Sequence, residues 1–301
     1  MHAFRIPLRV RFRRVAERDG VLFEGPAGWG EFSPFPDYTP GAMKRWLAAA
    51  REAATEGFPP PRRDRIPVNT TIPAVDPEEA HALARASGCT TAKVKVAEGD
   101  DEGRVAAVRD ALGPAGRIRV DANGAWDIDA AIRNIRTLSR YDLEYVEQPC
   151  AEIEEFAAVR RKVDVPIAAD ESIRSEDDPL RVARAEAADI AVVKVQPLGG
   201  VRAALRVAEA CGLPVVVSSA VETSVGIAMG AALAAALPEL PYACGLGTIP
   251  LLVGDVVRDP LAPEDGSIPV RAAVPDPELL RTWAPARPAD LLERVQRVDA
   301  A

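Results

Sequence analysis

The sequence predicts an α/β protein, a modified (β/α)8 TIM-type barrel with a small α+β capping domain. Three observations carry that prediction. Short apolar, β-branched runs alternate with amphipathic helical stretches from residue 66 to about residue 264. Three of these runs end in a carboxylate, RIRVD at Asp121, LEYVE at Glu147 and VPIAAD at Asp170, spaced 26 and 23 residues apart, the length of one strand–helix unit. The same spacing puts lysines on the flanking runs, Lys93 and Lys95 in TAKVKVA and Lys194 in IAVVKVQ. A doubly wound open sheet shares the local alternation but concentrates its chemistry at one switch point. Charged residues at the ends of five consecutive strands suit the closed form, whose active sites lie at the C-terminal mouth.

The elements follow in order. FRIPLRVRF alternates apolar and polar residues as a strand does, and VLFEG and GWGEFSPF are further strand-like pieces with Gly/Pro turns. MKRWLAAAREAA has the spacing of a helix, and Pro59, Pro60 and Pro61 make a stiff break before the alternation starts. Barrel strands are expected at 66–72, 91–96, 117–122, 144–148, 166–171, 190–195, 214–219 and 242–247. Between them lie helical patterns such as EEAHALARAS, GRVAAVRDAL, DAAIRNIRTLSR, IEEFAAVRRKV, PLRVARAEAA and VRAALRVAEACG. The last ends on Gly212 with Pro214 beyond it, a helix stop signal. The Pro-rich segment from about residue 265, with the terminal helix PADLLERVQRV, is expected to pack back on the cap. The domains are therefore 1–65 with 265–301 as the cap, and 66–264 as the barrel.

Composition narrows the function. At 301 residues and 48% hydrophobic content the chain can bury one large core and a small second unit. A net charge of −8 and a pI near 5.1, with no Lys/Arg-rich run, argue against nucleic acid or an anionic membrane as partner. No segment offers about 18 apolar residues without charge, and the N-terminus has no uninterrupted apolar stretch, so a cytoplasmic protein acting on a small molecule is expected. Cys89, Cys150, Cys211 and Cys244 form no CxxC pair and read as buried thiols. His2 and His81 are the only histidines and neither closes a strand, which disfavours histidine catalysis and a zinc site.

In a strand, Lys93 and Lys95 share one face, and Ala92, Val94 and Val96 take the other. The apolar face belongs to the helices, which leaves two ammonium groups in the lumen, where carboxylates or a substrate anion must compensate them. Three crowded carboxylates in turn need a cation, and an all-oxygen set suits Mg2+. Arg119, two residues before Asp121, faces inward, either to a substrate carboxylate or to an interior partner. Asn123 and Gln148 follow the acids and either support them from behind or cap loops. Ser218 and Ser219 precede a helix N-terminus, an anion site or an ordinary cap. Gly199 and Gly200 allow close backbone approach to a ligand or a tight turn. Gly245, in the GLGT of the eighth strand, is grouped with the substrate contacts, and its GxG lacks the rest of a dinucleotide fingerprint.

KVK, VDANGAW, VEQP, AADES and VVKVQPLGG, in this order and spacing, resemble the enolase superfamily and within it the muconate-lactonizing-type branch. The resemblance covers the whole chain, including a GWGEFSPF loop in the cap. It implies that Asp121, Glu147 and Asp170 hold Mg2+, with Mn2+ as an alternative, and that Lys95 and Lys194 are the bases that act α to a carboxylate. Lys93 would lie near the substrate carboxylate. The chemistry is consistent, because a carboxylate α-proton is so weakly acidic that the intermediate needs a divalent cation before an amine can compete for it. Dipeptide epimerases of the branch carry an Asp-x-Asp at the eighth strand, and ACGLGTIPLL has none. The short cap, PLGG, SSAVETSVG and GLGT resemble the branch's o-succinylbenzoate synthase family most. That implies a Mg-dependent syn-dehydration of a cyclohexadiene carboxylate, with N-succinylamino acid racemisation and muconate-type cycloisomerisation as alternatives. A Schiff-base aldolase barrel using Lys194 is the rival from another class.

Overall fold

The computed structural model describes residues 1–12, 15–173, 181–182 and 184–300. Eight parallel strands form the barrel: β4 (Arg65–Ile72), β5 (Thr91–Lys95), β6 (Arg117–Asp121), β7 (Leu143–Glu147), β8 (Ile167–Ala169), β9 (Ile190–Val193), β10 (Val215–Val217) and β11 (Cys244–Gly247). Each pairs in parallel with its neighbour from β4 to β10, and β11 returns to β4. A single parallel bridge, Ser218 with Gly245, closes the seam between β10 and β11, and the Ser219 N–H donates to the Gly245 carbonyl at 3.0 Å.

Strands such as IAVV and VVV are wholly apolar and mostly β-branched, and are buried on both faces, as strands of a helix-covered parallel sheet must be. The surrounding helices bury one stripe each. Helix α4 (Ile128–Leu138) turns Ala131, Ile135 and Leu138 inward and is capped by Asp127, whose carboxylate accepts from the Ala130 N–H. Before it run α2 (Pro77–Ala86) and α3 (Asp101–Leu112); after it come α5 (Ile153–Arg160), a short α6 (Val195–Leu198) that the sequence pattern did not indicate, and α7 (Val201–Cys211). The helix expected over PLRVARAEAA begins outside the described residues. Helix α8 (Ser224–Ala236) is apolar on every side and almost wholly buried between barrel and cap. The eighth strand is followed by a 3-10 turn at Ile249–Leu251 rather than a full helix.

The small N-terminal sheet is an antiparallel meander of β1 (His2–Phe12), β2 (Val15–Gly25) and β3 (Gly28–Phe32), backed by α1 (Pro40–Thr55). The sheet lies directly on the helix because Gly30 has no side chain; a Cβ there would collide with the Ala50 carbonyl. The segment after residue 265 divides. β12 (Ser267–Pro269) pairs antiparallel with the start of β4, while α9 (Pro277–Thr282) touches β1 and α10 (Pro288–Ala300) packs on α1, β1 and β2. Leu291, Val295 and Val298 of α10 join Val21, Phe32, Met43 and Trp46 in one buried cluster. No helix among the described residues is long and apolar enough to cross a membrane, and all four cysteines are buried free thiols.

Candidate active site

Strand register builds the site. Lys95 lies beside Asp121 and Asp121 beside Glu147, while one step lower Lys93 lies beside Arg119 and Arg119 beside Tyr145. Asp170 and Lys194 stand one residue beyond β8 and β9. Ala92 and Val94, fully buried, point outward into the helix layer. All six charged groups at the mouth are therefore brought together by alternation along short strands.

Their contacts are close. Lys93 Nζ donates to Glu147 Oε1 at 2.8 Å and lies 3.4 Å from Asp121 Oδ2. Lys95 donates to Asp121 and, at 2.7 Å, to Asn123 Oδ1, while Lys194 donates to Asp170 Oδ2 at 2.6 Å. Asn123 also donates its backbone N–H to Asp121 Oδ1 and its amide to Glu171. Gln148 supports Asp170 from below, its Oε1 accepting from the Asp170 and Ser172 N–H groups while Nε2 donates to the Cys150 carbonyl and Ser172 Oγ. Both Asn123 and Gln148 hold positive φ, 46° and 43°, so the chain turns sharply as soon as each acid has been placed.

The two paired lysines differ electrostatically. For Lys93 burial opposes the charge, but Glu147, Asp121 and Asp170 outweigh it and hold the ammonium well above its ordinary range. For Lys95 burial wins over Asp121, helped by the Lys93 ammonium, and its pKa falls below the ordinary value. Burial raises Asp121 as well, yet Lys95 and Lys93 bring it far below the usual carboxylate range. Glu147 goes the other way, raised to about 7 by burial and by the charge of Asp121.

Among the described residues no three potential ligands converge as a metal cluster, since each carboxylate is turned toward a lysine. The donor set nonetheless fits a hard divalent cation: three carboxylates on adjacent strands, with Glu147 Oε2 buried and lacking any hydrogen-bond partner among the described residues. A buried bare carboxylate oxygen is costly unless a cation meets it.

Of the other candidates only Ser219 reaches the pocket. Arg119, 1% exposed, lies in the barrel floor, where it donates to Glu144 Oε2 at 2.5 Å, Asn69 Oδ1 at 3.1 Å and the Ala243 carbonyl at 2.6 Å, over the Tyr145 ring. Gly199 and Gly200 face α1, not the pocket; a Cβ on Gly200 would collide with the Glu52 carboxylate. Ser218 and Gly245 form the barrel seam, a Cβ on Gly245 meeting Ser218 Oγ at 2.5 Å. Ser219 lines the pocket, and its hydroxyl pairs with Thr248 Oγ1 at 3.0 Å. The helix N-terminus beyond it is already occupied by the protein's own acceptors. Asp255 takes the Ser224 N–H, Thr223 Oγ1 the Val225 N–H and Glu31 the Gly226 N–H, so these donors do not face a substrate anion.

Sequence reasoning missed the cap's share. Phe12 and Phe35 close the pocket over Lys95 and Lys194, and Lys95 Nζ sits 4.9 Å from the Phe12 ring centre. Behind them Arg18, Glu31, Gln196 and Glu222 are buried together at the cap–barrel boundary. The available signal was an acid, Glu31, in the otherwise apolar and glycine-rich strand GWGEF.

Known proteins agree with this architecture. The family described as Enolase C-terminal domain-like matches residues 76–275, and Enolase N-terminal domain-like matches residues 3–54. The chain is 67% identical over 274 residues to the o-succinylbenzoate synthase of Thermobifida fusca (strain YX), covering 89% of this chain and 86% of that one. It is 52% identical over 295 residues to the o-succinylbenzoate synthase of Mycolicibacterium smegmatis, covering 96% and 91%. Two structures share the fold at lower identity. Muconate cycloisomerase from Pseudomonas fluorescens has a TM-score of 0.80 at 22% identity, covering 94% of this chain and 96% of that one. The L-Ala-D/L-Glu epimerase from Bacillus subtilis has 0.79 at 24%, covering 91% and 95%. With both parts of the chain matched and relatives of such identity spanning most of its length, the chain belongs to the enolase superfamily.

Proposed function

We propose that the chain acts as an o-succinylbenzoate synthase, a hydro-lyase that dehydrates 2-succinyl-6-hydroxy-2,4-cyclohexadiene-1-carboxylate in menaquinone biosynthesis in the cytoplasm. The observation that carries the reading is the 67% identity to a synthase of that name over 89% of the chain. The site supports it with an amine of lowered pKa beside crowded carboxylates.

Lys95 is the reacting amine. In its neutral form it takes the proton α to the substrate carboxylate; the resulting ammonium returns a proton to the hydroxyl as the carbon–oxygen bond breaks, so that water leaves and the ring becomes aromatic. Both events lie on one face, so one lysine serves as base and then as acid. Lys194, across the site on Asp170, contributes positive charge, and Lys93 stays protonated near the substrate carboxylate. Asp121, Glu147 and Asp170 would hold the divalent cation, Mg2+ with Mn2+ as substitute, whose charge offsets that on the substrate carboxylate as the α-proton leaves. Asn123 and Gln148 orient these groups.

The purified protein with Mg2+ should convert the cyclohexadiene acid to o-succinylbenzoate, followed by ultraviolet absorbance. A protein that makes none, yet racemises or cyclises other acids, would end this reading. The placement of lysines on both flanks of the carboxylates favours a second activity, racemisation of N-succinylamino acids with Lys95 and Lys194 each serving one face. Lys194→Arg keeps the charge but is a poor base. Solvent-deuterium exchange into both enantiomers should therefore become one-sided in that variant.

A further inference from the structure

One buried arginine joins the cap to the wall of the pocket. Arg18, on β2 and 2% exposed, donates through Nε to the Val221 carbonyl at 3.1 Å and through Nη2 to the Ser33 carbonyl. Its guanidinium carbon lies 4.0 Å above the centre of the Phe35 ring. It thus grips a barrel loop, a cap loop and an aromatic side chain at once. Phe35 lines the pocket from above, and Ser219 and Ala220, immediately before Val221, line it from the side.

Val221 makes this grip consequential. Its φ is +60°, a left-handed conformation that a β-branched residue resists, and its side chain is buried, so the turn cannot relax by moving into water. The turn is held from both sides: Glu222 accepts the Ala220 N–H at 2.7 Å, and Arg18 takes the Val221 carbonyl. Burial lowers the Arg18 pKa, and the nearby carboxylates of Glu222, Glu31 and Asp19 oppose that shift while Arg294 adds to it. Without Arg18 the Val221 carbonyl would lose its donor in a dry boundary, and the turn would gain by leaving the left-handed region.

We propose that Arg18 is a positioning residue that clamps the strained Ser219–Glu222 turn and the Phe35 ring against the pocket, so that docking of the cap sets the shape of the wall the substrate meets. The proposal rests on the activity proposed above only for the choice of assay.

The test is a double-mutant cycle on whichever acid the wild-type protein turns over, so that failure of the dehydration reading leaves the comparison intact. Arg18→Met keeps the stem and removes the donors. In the wild-type background it should lower kcat/KM at least about tenfold, chiefly through KM, because the reacting amine is untouched. In a Val221→Gly background, where left-handed φ carries no Cβ penalty, the same change should lower it less than about threefold. In a Val221→Ala background, which leaves space beside the turn but retains a Cβ, the full effect should persist. Equal effects in the Gly and Ala backgrounds, or a folded Arg18→Met with kcat/KM within about twofold of wild type, would overturn the proposal. Should Arg18→Met fail to fold by circular dichroism, Arg18→Lys keeps the charge, loses the double grip and is read against the same three backgrounds.

Discussion

The barrel lumen holds buried charge at two heights, and the two are built differently. In the floor, Arg119 meets Glu144, Asn69 and the Ala243 carbonyl, with Tyr145 against its face, and Tyr145, Ala168, Ile190, Val192 and Val216 fill the space around it. At the mouth, Lys95 and Lys194, with Lys93 reaching up from the level of Arg119, meet three carboxylates, yet Glu147 is driven up to about 7 and keeps a buried oxygen without a partner among the described residues. The floor arginine is held by a carboxylate, an amide oxygen and a carbonyl. The mouth keeps one buried acceptor, Glu147 Oε2, without a donor among the described residues, and a bound cation would meet it. Burial alone would make these groups look alike; what distinguishes a chemical site from a structural ion pair is the unfilled coordination.

The comparison breaks most sharply under chelation. Excess EDTA, or Asp121→Asn, Glu147→Gln or Asp170→Asn taken singly, should remove most of the activity, and full turnover in EDTA would show that the mouth needs no cation. Next in size is Lys95→Ala, expected to lower kcat by about 10²–10⁴-fold with the circular dichroism spectrum unchanged. Near wild-type kcat in that variant would require a different base. The floor should answer in the opposite currency. Arg119→Met leaves Glu144 without its buried partner and should cost about 3–5 kcal/mol in urea unfolding, with kcat of the folded protein within about threefold. A large kcat loss without destabilisation would move Arg119 into the chemistry.

The smallest effect concerns another buried carboxylate, Glu31, which faces Glu222, Arg18, Thr223 and Ser33 at the cap boundary and is pushed up to about 7 by burial and by Glu222. Its folded pKa lies above the ordinary value near 4.3, so the folded state holds the extra proton between those pH values, and stability falls as pH rises from about 4 to about 7. Relative to Glu31→Gln, the wild type should therefore lose up to about 3 kcal/mol over that window and change little above it. A difference between the two melting curves that stays constant from pH 5 to pH 8 would place the Glu31 pKa at its ordinary value.

Much of the barrel and its charged mouth was legible because both obey short periods. A strand–helix unit recurs over some twenty-five residues, side chains alternate along each strand, and RIRVD, LEYVE and VPIAAD satisfy both rules, which is why the six charged groups could be named from spacing. The cap boundary obeys no period. Ser33 meets Gln196 and Glu31 meets Thr223 across separations of 163 and 192 residues, and nothing local in ERDGVLF marks Arg18 as buried. That the helix N-terminus beyond Ser218 and Ser219 is already capped was illegible for the same reason. The Gly226 and Ser224 N–H groups are taken by Glu31 and Asp255, carboxylates supplied from distant parts of the chain. Gly199 and Gly200 do permit close backbone approach, but to α1.

The cluster that joins Val21, Phe32 and Trp46 to Leu291, Val295 and Val298 has a consequence for how the protein is made. Synthesis runs from the N-terminus, so the meander and α1 leave the ribosome before the barrel does, with one apolar face whose partner helix is translated only after the barrel. That face must remain uncovered while the whole barrel is produced. The pocket that Phe12 and Phe35 close can therefore settle only after the barrel has been made. A ribosome stalled before residue 288 should carry a formed barrel beneath an unsettled cap, recognisable by protease cleavage in β1–β3 that ceases once α10 has emerged.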